Sequence, residues 1–395
     1  MRLHHLPLLA LVLGATAKHN PAPILPDSLS NELLYLHRHL VEISSITGSE
    51  LKVEHWLSSY LERQDFSVEL QEVSKDRYNI YAYSGEKRAT PVLVSSHIDT
   101  VPPFWPYYHN KTTDVIGGRG SVDAKGSVAA QIVAVQSLPQ NIRENVALLY
   151  VVGEETGGDG MRAFSSWDER PEPAHKAVVF GEPTEGKLVC GHKGILGLTI
   201  HVQGKAAHSG YPWLGLSAND ILSEALSELL KLRDGGLPSS KHYGNTTVNF
   251  GKIEGGVAAN VVAETASAKL AVRLGGGTPK EVYDLIVKSL ANVKAAAQEA
   301  GGDLTIERES EGYPPVNIDC DVEGFKRMTV NYGTDVPLLS GDHKRYLYGP
   351  GTIFVAHSDH EALEKKELEQ AVRDYRTLIV AAVRDTAKAQ EVEEL

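Results

Sequence analysis

Along the chain, short wholly apolar runs alternate with stretches in which apolar positions recur every three or four residues. Residues 31–64 have the second pattern, at Leu33, Leu34, Leu36 and Leu40 and again at Trp56, Leu57 and Leu61, and read as helical. "NIYAYSG" and "PVLVSSHIDT" read as strands, and "DAKGSVAAQIVAVQSL" as a helix opened by Asp123. "VALLYVVGEE" and "KAVVFGEPT" are further strands, apolar enough to be buried on both faces as in a parallel sheet. Strands alternating with helices predict an α/β domain whose central, mostly parallel sheet is flanked by helices.

After His192, Lys193 and Gly194 the rhythm changes. "ILGLTIHVQG" is strand-like and "SANDILSEALSELLKL" amphipathic helical. "TTVNFGKIEG" and "ETASAKLAVRL" are strands, "TPKEVYDLIVKSLANVKAAAQEAG" is a long helix and "DLTIERES" a last strand. That β-α-β-β-α-β order is a split βαβ unit, a small two-layer sandwich. A chain of 395 residues is long for one core. The predicted organisation is a larger domain built from 18–193 and 309–395, with the smaller one, later read as a lid on a catalytic domain, inserted at 194–308.

The N-terminus does not belong to this scheme. "MRLHHLPLLALVLGATAKHN" carries one Arg, an apolar stretch and an A-x-A pattern at Ala15, Thr16 and Ala17, and "NPAPILPDS" would break a helix. Residues 1–17 read as a secretory signal, predicting an extracellular protein. Two N-x-[ST] sequons, at Asn110 and Asn245, agree as glycosylation candidates. The formal charge of −12 argues against nucleic acid or an anionic membrane surface as partner, and no apolar run is long enough for a membrane span. Cys190 and Cys320 are too few for a disulfide framework and lie in no C-x-x-C pattern, so the sequence leaves their pairing open.

The candidate chemistry collects where apolar runs end. "VLVSSHIDT" ends in His97 and Asp99, on one face of an extended chain. "YVVGEET" ends in Glu154 and Glu155, "VVFGEPT" in Glu182, and "GTIFVAHSDHE" presents His357 past another apolar run. Asp123 stands in a glycine-rich loop before a helix. One such end is a solvated turn or a cap; five carrying only His, Asp and Glu point to one site beyond the strand ends of an α/β sheet.

Imidazole with carboxylate suits zinc or a similar divalent ion, and two such ions form a clamp for hydrolysis. Neutral His97 and His357 with anionic Asp123, Glu155 and Glu182 would balance two divalent cations and one hydroxide. Five residues can give each ion three ligands only if one bridges, and Asp123 is the expected bridge. Glu154 is then free to act as general base, and Asp99 can fix the tautomer of His97.

In this order, "SSHIDTVP", "GSVDAKG", "VVGEETGG", "GEPT" and "AHSDHEAL" resemble the co-catalytic zinc peptidases and deacylases that include glutamate carboxypeptidase, aminoacylase and acetylornithine deacetylase. The resemblance spans nearly the whole mature chain. It implies two zinc ions, with cobalt or manganese as substitutes, and the roles given above. His360 is a rival to His357, but the family places its ligand four residues before a glutamate, here Glu361. It also implies that His208, in "GKAAHSGYP", donates to the oxyanion, and that Asn260 and Arg273 contact substrate, Arg273 as a fork for a carboxylate. The "NVVAE" loop lacks the family's usual proline and acid, and Ala271 stands where an acid is frequent. The implied substrate is a peptide losing its last residue or, alternatively, an N-acyl amino acid; a non-catalytic binding protein is the remote third reading. A plain lid implies a two-fold dimer joined lid to lid, with a monomer closing its own lid as the alternative.

Overall fold

The structure, a computed structural model, describes residues 23–167, 170–171 and 175–393. The signal read in 1–17 lies outside them. The first helical stretch forms two helices, α1 (Asp27–Glu42) and α2 (Leu51–Arg63). The break has a cause: Thr100 N–H donates to the Ser45 carbonyl and Thr47 N–H to the Thr100 carbonyl, so this segment pairs like a strand. Gly48 then turns the chain at φ 91°.

Strands β1 (Ser67–Ser74), β2 (Arg77–Tyr83) and β3 (Val92–His97) precede helix α3 (Lys125–Gln136). Strands β4 (Val146–Val151) and β5 (Ala177–Gly181) follow. From Gly194 the chain forms β6 (Gly194–Gln203), α4 (Ala218–Gly235), β7 (Thr247–Gly255), β8 (Thr265–Leu274), α5 (Pro279–Glu299) and β9 (Asp303–Arg308). It closes with β10 (Lys344–Tyr348) and α6 (Lys365–Glu393).

The central sheet has the order β1-β2-β4-β3-β5-β10. Strands β4, β3, β5 and β10 are parallel, and β1 and β2 join antiparallel at one edge. Period-two alternation sorts its side chains. Val92, Val94, Val146, Leu148 and Tyr150 enter one core, while Leu93, Ala147, Leu149 and Val151 enter the other. Helices α1, α3 and α6 pack in the first core. The opposite core is closed largely by the short helix Asp159–Ser165 and a three-stranded sheet of Val316–Asn317, Leu188–His192 and Arg327–Val330, so helices flank the sheet less evenly than expected. Helix α3 is buried from Lys125 to Val135, which explains why apolar residues lie on every side of it, with Lys125, Ser127 and Gln131 as buried polar exceptions.

The segment from Gly194 forms its own antiparallel sheet in the order β7-β8-β6-β9, with α4 and α5 packed on one face around Leu198, Ile200, Leu222, Leu270 and Ile286. Outgoing and returning connections run side by side. Ile195 bridges Tyr313, and Cys190 is disulfide-bonded to Cys320. Among the described residues no helix is long and apolar enough to cross a membrane.

Candidate metal centre

Because β3, β4, β5 and β10 are parallel, their carboxyl ends open on the same side of the sheet. His97 is the last residue of β3; Glu154 and Glu155 follow β4 and Glu182 follows β5. The Glu154–Glu155 elbow depends on glycine. Gly153 turns at φ 76°, where a Cβ would come within 2.6 Å of Arg77 Nη2, and Gly158 turns at φ 73° against Leu338 and Asp335.

Two candidate ligand positions depart from the sequence reading. The run before His357 is not a strand but a series of turns; the strand of that region is β10, and His357 takes φ 62° in the loop beyond it. Asp123 does not cap α3, which starts two residues later without a side-chain cap. Its carboxylate is used elsewhere: Oδ1 lies 3.1 Å from His97 Nε2 and Oδ2 3.3 Å from His357 Nε2. Asp123 therefore stands between the two imidazoles. Glu155 Oε2 is 3.0 Å from His357 Nε2, and Glu182 Oε1 is 3.8 Å from His97 Nε2. His97, Asp123 and Glu155 present donor atoms all within 4.8 Å of one another, as do His97, Glu154 and Glu182. His360 is engaged with Asp359 at 2.8 Å instead.

Asp99 is buried behind this cluster. His97 Nδ1 faces its carbonyl at 3.1 Å and its Oδ1 at 3.4 Å, which turns Nε2 toward Asp123. Asp99 also accepts the backbone N–H groups of Glu154 (3.1 Å) and Glu155 (3.3 Å) and the Thr47 hydroxyl at 2.7 Å. These last three contacts were not legible in the sequence.

The electrostatics fit a cationic occupant. Burial and mutual repulsion push Glu154 and Glu182 well above the usual carboxylate range, and Glu155 rises for the same reasons. Hydrogen bonds to Asp123 and Glu155 hold His357 protonated up to about 10. Burial opposes protonation of His97, but its bonds to Asp123 and Asp99 prevail and raise it. Burial opposes ionisation of Asp123 too, and the two histidines hold it low. Glu155 Oε1 is buried with no hydrogen-bond partner, a lone pair for which an ion would be the natural mate. An oxygen and imidazole donor set of this kind fits zinc.

The centre opens into a cavity of about 310 Å³ lined also by Arg162, Ile195, Arg273, Tyr313, Tyr332 and Asp335. Burial pushes Asp335 up to about 7, and its Oδ1 has no partner. Sequence reasoning missed it, since an aspartate after "YGT" carries no distinctive signal. Arg273 reaches the cavity from β8. His208 and Asn260 do not line it: they sit on adjoining exposed loops, where Ser209 N–H donates to the Asn260 carbonyl at 3.0 Å.

Paired carboxylates and imidazoles at the carboxyl ends of a parallel sheet, roofed by a smaller sandwich, define a metal-dependent hydrolase. The comparisons make the class specific. The family model "Peptidase family M28" matches residues 79–181 and "Peptidase dimerisation domain" matches 190–298. A probable carboxypeptidase of Aspergillus flavus is 49% identical, covering 90% of this chain and 88% of the relative. One from Uncinocarpus reesii is 47% identical over 96% and 93%. Among solved structures, human carnosine dipeptidase 1 superimposes with a TM-score of 0.74 at 14% identity, covering 91% of this chain and 97% of that one. The M20 family metallo-carboxypeptidase Sso-CP2 of Sulfolobus solfataricus gives 0.68 at 19% identity, over 88% and 98%. These two show the shared fold. The chain belongs to the metallopeptidase family of the probable carboxypeptidases and is a hydrolase.

Proposed function

We propose that this metallopeptidase is a secreted carboxypeptidase that releases the C-terminal residue of peptides with two zinc ions. The observation that carries the reading is the division around Asp123, with one oxygen toward His97 and the other toward His357. His97, Asp123 and Glu182 would hold one ion, and His357, Asp123 and Glu155 the other. Bound zinc would polarise the scissile carbonyl and acidify the attacking water. Glu154, which this arrangement leaves free of metal, would take a proton from the attacking water and pass it to the departing amine. Asp99 keeps His97 in the tautomer that presents Nε2. Arg273 offers a fork to the terminal carboxylate, with Asn260 as a further substrate contact, and His208 stabilises the oxyanion from the lid of a second copy.

Names of relatives at 45–49% identity support the carboxypeptidase reading over the N-acyl-amino-acid hydrolase. Secretion rests on the signal-like residues 1–17 and agrees with the exposed sequon residues Asn110 and Asn245 and the disulfide. The test is release of free amino acid from N-blocked dipeptides against N-acetyl amino acids, each with and without chelator. Chelator-sensitive release from the dipeptides is expected. Preference for the acetylated substrates would make the protein a deacylase, and no turnover of either would overturn both substrate readings.

A further inference from the structure

The loop that carries Asp123 lies outside the central sheet, yet it must hold one carboxylate between two histidines. Glu361 supplies the support. Its Oε1 accepts the backbone N–H of Val122 at 3.0 Å and of Asp123 at 3.1 Å, and its Oε2 accepts Arg119 Nη1 at 2.7 Å. Its own carbonyl accepts the Gly118 N–H and the Ser121 hydroxyl, both at 3.1 Å. Arg119 in turn donates Nε to the Pro103 carbonyl at 3.2 Å and its backbone N–H to the Trp105 carbonyl at 3.0 Å. The two side chains are 2% and 1% exposed.

One buried ion pair thus joins three loops: the one leaving His97 and Asp99, the one bearing Asp123, and the one bearing His357. Such a pair adds little net stability, because desolvating two charges offsets their attraction. What it does provide is direction. A carboxylate receiving two consecutive N–H groups leaves the peptide between Val122 and Asp123 little freedom. Any slip of that peptide would disturb the contacts of Asp123 with His97 and His357 together.

We propose that Glu361, oriented by Arg119, is a positioning residue for Asp123, and that its acceptor oxygen sets the geometry on which metal affinity at both positions depends. The proposal rests on the reading of Asp123 as the bridge between two metals. Glu361 acts through the main chain of Val122 and Asp123 and touches no substrate.

Two double variants separate its parts. Arg119→Met with Glu361→Gln removes both charges but keeps an acceptor oxygen for the two N–H groups. Arg119→Met with Glu361→Leu removes the acceptor as well. Zinc affinity is read by competition with a chromophoric chelator, and the fold by thermal melting of the metal-free and zinc-loaded chains. The leucine variant should melt cooperatively yet bind zinc roughly 10–100-fold more weakly, the usual effect of removing a group that orients a ligand. The glutamine variant keeps the acceptor but loses the guanidinium that orients it, and should lose markedly less affinity than the leucine variant. Wild-type affinity in a folded leucine variant, equal losses in both variants, or failure of both to fold with or without zinc would each overturn the proposal. Asp123→Asn serves as the control: if it keeps wild-type affinity, the bridging reading fails, independently of Glu361.

Discussion

Asp99 holds Glu154 by the main chain: its Oδ1 accepts the Glu154 N–H at 3.1 Å while the same oxygen lies 3.4 Å from His97 Nδ1. Its Oδ2 accepts the Glu155 N–H at 3.3 Å. One buried carboxylate therefore sets both the ring of a histidine and the start of the elbow that presents two glutamates.

The adjacent glutamates should respond differently to the same substitution. If Glu154 is the general base proposed above, Glu154→Gln is expected to keep bound metal and lose ~10²–10⁴-fold in kcat, because it removes a proton carrier and no proposed ligand. Glu155→Gln should weaken metal binding first, since Glu155 faces His357 at 3.0 Å. Metal analysis alongside kcat checks both; a Glu154→Gln enzyme that lost its metal would reverse the assignment.

The exposed position of His208 bears on assembly. If a second copy receives it, mixing inactive Glu154→Gln with inactive His208→Ala should restore part of the activity, because one mixed site then holds an intact glutamate and an intact histidine. Subunit exchange is verified in parallel by mass-tagged chains. No recovery despite exchange, or a monomer at assay concentration, would mean that each chain completes its own site.

Glu54 gives a pH prediction away from the centre. It is buried in α2; its Oε1 accepts the Tyr78 N–H at 2.9 Å and its Oε2 has no partner. Burial raises it from 4.5 to about 7. Between those values the folded chain keeps a proton that the unfolded chain has released, so this group's contribution to stability falls as pH rises through the window. Glu54→Gln retains the acceptor and should flatten that slope. Denaturant midpoints for wild type and variant should coincide below about pH 4.5 and separate in favour of the variant by pH 8, with activity unchanged. Parallel curves would show that Glu54 is ionised in the fold.

The bond between Cys190 and Cys320 spans 130 residues and encloses the whole lid segment. Loop-closure entropy predicts a loss of about 5 kcal/mol when it is removed, less any residual order in the unfolded chain. Replacing both cysteines by alanine and comparing urea midpoints measures this; an unchanged midpoint would mean that the two connections hold each other without it.

The apolar runs of β2 to β5, the buried helix α3 and the β-α-β-β-α-β order of the lid could all be read from the chain, because burial on one or both faces imposes a period that neighbours in sequence share. So could the residue types of the centre, since His97, Glu154, Glu155 and Glu182 fall where strands stop. The first helical stretch misled because the turn at 43–50 is decided by a distant partner, Thr100. His357 misled for a related reason: an apolar stretch that packs as turns has the same local pattern as a strand. Contacts across long separations carry no period at all. The placing of Asp123 between His97 and His357, the grip of Asp99 on the Glu154 backbone, the Arg119–Glu361 pair and the closing of Cys190 on Cys320 join residues 26 to 242 positions apart. Local sequence determined which donors would reach the end of the sheet, and only the packing of the loops decided which donor faces which.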